Sequence, residues 1–162
     1  MARIYRVPYT GTLTAAGGDT DLFEITPADD KPIKLVGFKL GQSSEVGDAA
    51  EENLRITVRH MAATVTSGSG GSAVTPIKND PGVDVAAGFT AEANNTTVAT
   101  TSGTSTIMEE FAWNERNTPY ETWYPDDDYA PTARQTEVLL VRCESTAADD
   151  LTIEITAFVK EF

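Results

Sequence analysis

The chain has 162 residues, a length that fits one domain. It carries 12 Lys and Arg against 25 Asp and Glu, a formal net charge of −13. Cations this few, and scattered along the chain, argue against a nucleic-acid partner, which needs them to displace phosphate counterions, and against an anionic membrane surface. Apolar content of 40% is slightly low for a globular protein but above the disordered range.

The opening Met1-Ala2-Arg3-Ile4-Tyr5-Arg6-Val7-Pro8-Tyr9 has charge but no apolar run of the secretory type, so synthesis in the cytoplasm is expected. The longest apolar runs are about four residues, far below the ~20 that cross a bilayer. Ile4 to Tyr9 alternates and stops at Gly11. Leu22 to Thr26 reads as a short strand closed by the turn Pro27-Ala28-Asp29-Asp30-Lys31-Pro32. Ile33 to Gln42 has period two and places Val36, Phe38 and Leu40 on one face. Gly47 to Asn53 has room for one or two helical turns capped by Asp48. Leu54 to Val65 is the clearest strand, with Leu54, Ile56, Val58 and His60 on one side and Arg55, Thr57 and Arg59 on the other.

From 66 to 105 the pattern lapses. The stretch includes Ser67-Gly68-Ser69-Gly70-Gly71-Ser72, Asn94-Asn95-Thr96-Thr97 and Thr100-Thr101-Ser102-Gly103-Thr104, and reads as an extended loop or arm. Loops longer than about 12–15 residues usually carry function or are disordered. Residues 66–130 hold ten acidic and two basic side chains, so the negative charge concentrates in this middle part. Strand patterns resume at Thr106 to Trp113, with Ile107, Phe111 and Trp113 on one face, then at Glu137 to Glu144 and Leu151 to Val159. Ala147-Ala148-Asp149-Asp150 reads as the hairpin loop joining the last two. Seven or eight half-buried strands with long connections describe a single all-β domain over 1–162, an antiparallel β-sandwich of jelly-roll type.

Residues for catalysis are not assembled in this pattern. His60 is the sole histidine and sits in a strand beside Met61, where a satisfied core or interface ring is expected. Glu109 and Glu110 are adjacent on a strand, so they point to opposite faces and cannot pair. Cys143 is the sole cysteine and lies in an apolar strand, which suits a buried thiol and forbids an intrachain disulfide. Asp126-Asp127-Asp128 offers oxygen ligands but not the spacing of a calcium loop, and reads as a solvated turn. No enzyme activity, cofactor or metal is expected. The best candidate surface is aromatic: Trp113, Tyr120, Trp123 and Tyr124 fall within twelve residues, interleaved with Asn114, Arg116 and Pro119. Trp and Tyr anchor interfaces. Trp113 continues an inward face and suits core-capping; Trp123 and Tyr124, flanked by turns, suit an interface better.

The stretch Val36-Gly37-Phe38-Lys39-Leu40-Gly41-Gln42-Ser43-Ser44-Glu45-Val46-Gly47-Asp48-Ala49-Ala50-Glu51-Glu52 resembles small structural proteins encoded by tailed bacteriophages and prophages. Thr66 to Ser72, Thr96-Thr97-Val98-Ala99, Trp113-Asn114-Glu115-Arg116 and Trp123-Tyr124-Pro125 are similar too. The resemblance implies a β-sandwich or jelly-roll virion component, a capsid decoration or cement protein. Such a protein would bind the major capsid protein on the capsid surface and associate with itself, as a homotrimer. A tail or fibre component gripping a receptor or glycan, or a carbohydrate-binding module, are the competing readings.

Overall fold

The computed structural model describes residues 2–15, 17–44, 52–82, 85–117 and 119–162. Fourteen strands occur in these segments: β1 (Arg3–Leu13), β2 (Thr20–Thr26), β3 (Ile33–Gln42), β4 (Asn53–Met61), β5 (Val65–Thr66), β6 (Ser72–Ala73), β7 (Ile77–Lys78), β8 (Thr90–Asn95), β9 (Thr100–Thr101), β10 (Ser105–Asn114), β11 (Tyr120–Trp123), β12 (Thr132–Ala133), β13 (Val138–Cys143) and β14 (Leu151–Glu161). The expected turn at Gly47 to Asn53 lies largely outside the described residues.

Twelve of the strands form two six-stranded antiparallel sheets, and β5 and β9 pair in a separate two-stranded one. The first runs β11-β3-β14-β1-β7, with β12 beside β11 on the same edge of β3; the second runs β10-β4-β13-β2-β8-β6. Set the short strands of the excursion and β12 aside, and the eight that remain pair first with last. β1 pairs β14, β2 pairs β13, β3 pairs β11 and β4 pairs β10. Two further pairings, β3 with β14 and β4 with β13, fuse these four ribbons into two sheets. A hairpin folded over twice in this way is the jelly roll.

Alternation explains the core. Along β14, Leu151, Ile153, Ile155, Ala157 and Val159 are buried between the sheets, while the residues between them are not. They meet Tyr5 and Val7 of β1, Ile33, Leu35, Phe38 and Leu40 of β3, Leu54, Ile56 and Val58 of β4, and Leu139, Val141 and Cys143 of β13. Burial of the Cys143 thiol pushes its pKa up to about 11.

Four expectations need correction. β13 and β14 belong to different sheets, so Ala147 to Asp150 crosses the sandwich and is not a hairpin loop. Val36 faces away from Phe38 and Leu40. One step on β14, from Phe158 to Val159, spans two on β3, from Gly37 to Leu35, so Val36 is the extra residue of a β-bulge. A second bulge at Met108 turns Ile107 to the face opposite Phe111 and Trp113. The stretch 66–105 is not one extended loop, because it contains β8, paired to β2 along Thr90–Asn95, and the short β6, β7 and β9.

That insertion does two jobs. Through β7 on β1 and β8 on β2 it closes one side of the sandwich. Phe89 enters the core edge-on to Tyr5 at 5.6 Å, and the amides of Gly88 and Phe89 donate to Glu161 at 2.7 and 3.0 Å. It also covers the outer face of the second sheet over β2 and β13, while Arg55 of β4 and Glu110 of β10 stay exposed beyond it. Glu24 accepts bonds from Ser67 Oγ, the Gly68 amide and Asn95 Nδ2 at 2.5–3.0 Å. Asp21 accepts from the Ala99 amide at 2.7 Å and from Arg142 Nε at 2.5 Å, and Arg142 donates onward to the Ala99 carbonyl at 2.9 Å. Asp21, Glu24 and Arg142 are all buried there. Beside them Met61, Ala99, Val138 and Leu140 form a second apolar cluster.

Candidate functional site

The four aromatic residues separate into three environments. β10 and β11 are the free edges of the two sheets, on the side opposite the insertion. Trp113 of β10 points inward across from Leu54 and is 3% exposed, so it belongs to the core. Tyr120 of β11 stacks on Phe111 with ring centroids 3.8 Å apart. Its hydroxyl donates to Glu109 Oε1 at 3.3 Å, and that of Tyr124 donates to Oε2 at 2.5 Å. Glu109, turned inward by the Met108 bulge, thus bridges the gap between β10 and β11. Burial and the adjacent Glu109 charge raise both phenols above their ordinary pKa. This pair closes the open side of the sandwich and presents little surface.

Trp123 alone faces solvent, 49% exposed, on the outer face of the first sheet. Its indole packs on Phe158 of β14 at 4.4 Å and donates Nε1 to Glu121. Gly37 of β3 lies underneath, and a Cβ there would sit 2.7 Å from the indole Cε3. The bond from Trp123 and an ion pair with Lys39 at 3.2 Å hold the Glu121 carboxyl below its ordinary pKa.

Register extends Trp123 into a row across the whole sheet. Trp123 lies opposite Gly37, Gly37 opposite Phe158, Phe158 opposite Arg6 and Arg6 opposite Ile77. Ile77 is 50% exposed. Two residues along the strands, Ile4 stands opposite Lys160 and Lys160 opposite Lys34. The Phe162 ring lies under both ammonium groups, at 5.6 Å from Lys34 and 5.1 Å from Lys160. Lys160 also pairs with Asp127 at 2.5 Å, which holds that carboxyl below its ordinary pKa. Arg6, Lys34, Lys39 and Lys160 therefore share one face, although along the chain they look scattered. The other two acids of the Asp126 run are not gathered with Asp127: Asp126 Oδ1 accepts the Asp128 amide in a turn. Among the described residues no group of three or more His, Cys, Asp and Glu could hold a metal ion.

Sequence reasoning missed Arg6, Ile77, Phe158 and Phe162 as surface candidates. One signal was readable: Phe158 occupies a position of β14 where its neighbours two apart are Thr156 and Lys160, a large ring on a polar face. A second apolar spot lies on the β10 edge, where Ile107 and Met108 are 39% and 53% exposed. His60, at the sandwich rim, contacts Glu137 at 3.2 Å.

Fold and surface together define a jelly-roll domain with one sheet face covered in part by its own insertion and the other left amphipathic. No family model and no curated protein matches the chain. Among solved structures it is similar to a chain from the structure of the infectious bursal disease virus Gx strain, at 15% identity and a TM-score of 0.21, covering 99% of this chain and 42% of that one.

Proposed function

We propose that the chain is a non-enzymatic virion protein of a tailed phage that decorates the head by binding the major capsid protein. The observation that carries this reading is where the exposed apolar side chains lie. The core is complete, yet Ile4, Ile77, Trp123 and Phe162 stay exposed on the first sheet, and Ile107 and Met108 on the β10 edge. Contiguous exposed apolar groups mark interaction sites, and two such sites on one small domain suit a component held by copies of itself and by a larger shell. The β10 edge is the shell-facing candidate: its outer backbone groups have no strand partner among the described residues, so a segment of the capsid protein can add to it. The motifs similar to phage structural proteins support the same reading.

The test is to mix the protein with undecorated, expanded capsids. Saturable binding that protects the capsids against heat, weakened by Met108→Lys, supports the proposal; absence of binding refutes it. The half-exposed Trp123 favours a second reading, a tail or fibre component stacking on a glycan. Immuno-electron microscopy of virions separates the two, since a lattice over the head excludes a tail location.

A further inference from the structure

We propose that the outer face of the first sheet is a self-complementary interface, through which two copies pair about a two-fold axis laid along the cross-strand row Pro8–Thr156–Lys39. These three residues lie opposite one another on β1, β14 and β3 and mark the middle of the face. Rotation about that row stacks β3 of one copy on β3 of the other, running in opposite directions. The row Arg6–Phe158–Gly37 is thereby exchanged with the row Thr10–Glu154–Gly41.

Two independent features match under this one operation. The first is shape. The indole of Trp123 stands as a ridge over Gly37. Four residues along the same strand, Gly41 floors a groove of about 360 Å³ walled by Pro8, Thr10, Pro119, Glu154 and Thr156. The axis sets the ridge of each copy over the groove of the other. Sheets that stack face to face lie about 10 Å apart with interleaved side chains, which a ridge and groove of this kind permit. The second is charge. Glu121, Asp127 and Lys39 of this face have ion-pair partners within the chain, but Arg6 and Glu154 have no ion pair among the described residues. Arg6 Nη2 donates to the neutral side-chain oxygen Oδ1 of Asn79 at 3.0 Å. The two-fold carries Arg6 of one copy next to Glu154 of the other, and the reverse. Lys39 and its mate meet at the axis, each already neutralised by Glu121.

On the second sheet the insertion buries the outer face over β2 and β13, and on the exposed remainder Arg55 already has ion-pair partners in Glu110 and Glu144 of the same chain. The occupant is therefore a second copy rather than a foreign surface, since ridge and groove, and cation and anion, are both supplied by this chain. The pairing is two-fold, in place of the three-fold association that the phage resemblance implies, and it does not rest on the decoration reading. A dimer that binds no capsid leaves it standing; a trimer that coats capsids overturns it alone.

Sedimentation equilibrium on the full chain tests it. A reversible dimer is expected. Arg6→Glu and Glu154→Arg should each raise the dissociation constant at least tenfold, and the double variant should restore it. Gly41→Leu should also abolish pairing while leaving the fold intact, because a Cβ at Gly41 meets only ordinary contacts at 3.6–3.8 Å. A wild-type chain that stays monomeric or forms a trimer overturns the proposal. So does a double variant that fails to recover, which would assign the two charges to a foreign partner.

Discussion

Gly37 and Gly41 look interchangeable in the sequence, two glycines four apart in one strand, yet their surroundings give them opposite tolerances. A Cβ at Gly37 would lie 2.7 Å from both the Thr122 carbonyl oxygen and the Trp123 indole; at Gly41 nothing comes nearer than 3.6 Å. Gly37→Ala must push the indole off Phe158 and strain β11, a cost of about 1–3 kcal/mol. Trp123 emission should move to the red and become easier to quench, whereas Gly41→Ala should leave stability within about 0.5 kcal/mol. Equal denaturation midpoints for the two variants would refute this. Glu144 makes a second residue-scale case. Burial raises its pKa, but bonds from Arg59 and Thr57, and the charge of Arg55 at 2.5 Å, outweigh that and hold the carboxyl below its ordinary 4.5. A lowered folded pKa means that the stability it supplies is present above that ordinary value and is lost as pH falls through the folded one. Glu144→Gln should therefore destabilise by about 1.5–3 kcal/mol at pH 7 and narrow the gap to wild type in acid, read from urea unfolding at stepped pH.

At the scale of elements, the insertion is where reading by composition fails. Gly, Ser and Thr at 66–105 suggest an extended loop or arm, but backbone groups along it have fixed partners. Ser69 and Thr97 exchange both amide–carbonyl bonds at 2.8 and 2.9 Å, and Gly68 donates to the buried Glu24. Small side chains are what allow this chain to lie close on the second sheet: a Cβ at Gly71 would sit 2.3 Å from the Ala93 carbonyl oxygen. Amide hydrogens of Gly68, Ser69 and Thr97 should exchange orders of magnitude more slowly than those of a free loop, and limited proteolysis should spare Ser67–Ser72 until the domain unfolds; rapid exchange at all three would refute the fixed insertion. The long strands were legible because each buries one face and alternation follows directly. β8 was not, since Ala91 and Ala93 are its inward residues and carry little apolar signal. Bulges at Val36 and Met108 defeated the face assignments for Val36 and Ile107, because an inserted residue shifts the period without changing composition. The aromatic cluster was visible in the sequence, but its division into core, closure and exposed ridge depends on which sheet each strand joins.

For the whole molecule, the net charge of −13 decides how association responds to salt. The proposed interface gains two exposed Arg6–Glu154 pairs, each worth about 0–1 kcal/mol. Against them stands repulsion between two bodies that are each strongly acidic, acting over the remainder of their surfaces. The repulsive term involves many charges at long range and the attractive one only a few at contact. Added salt removes the former first, because screening acts beyond about 10 Å at 0.1 M. The buried contact of the Trp123 ridge with the Gly41 groove is apolar and does not weaken. Raising NaCl from about 20 to about 300 mM, across the range where screening shortens to molecular contact distances, should therefore tighten the dimer, with a dissociation constant that falls in sedimentation equilibrium. An interface built chiefly on opposite charges would loosen over the same range, so the sign of the salt dependence separates apolar pairing under mutual repulsion from charge-driven docking.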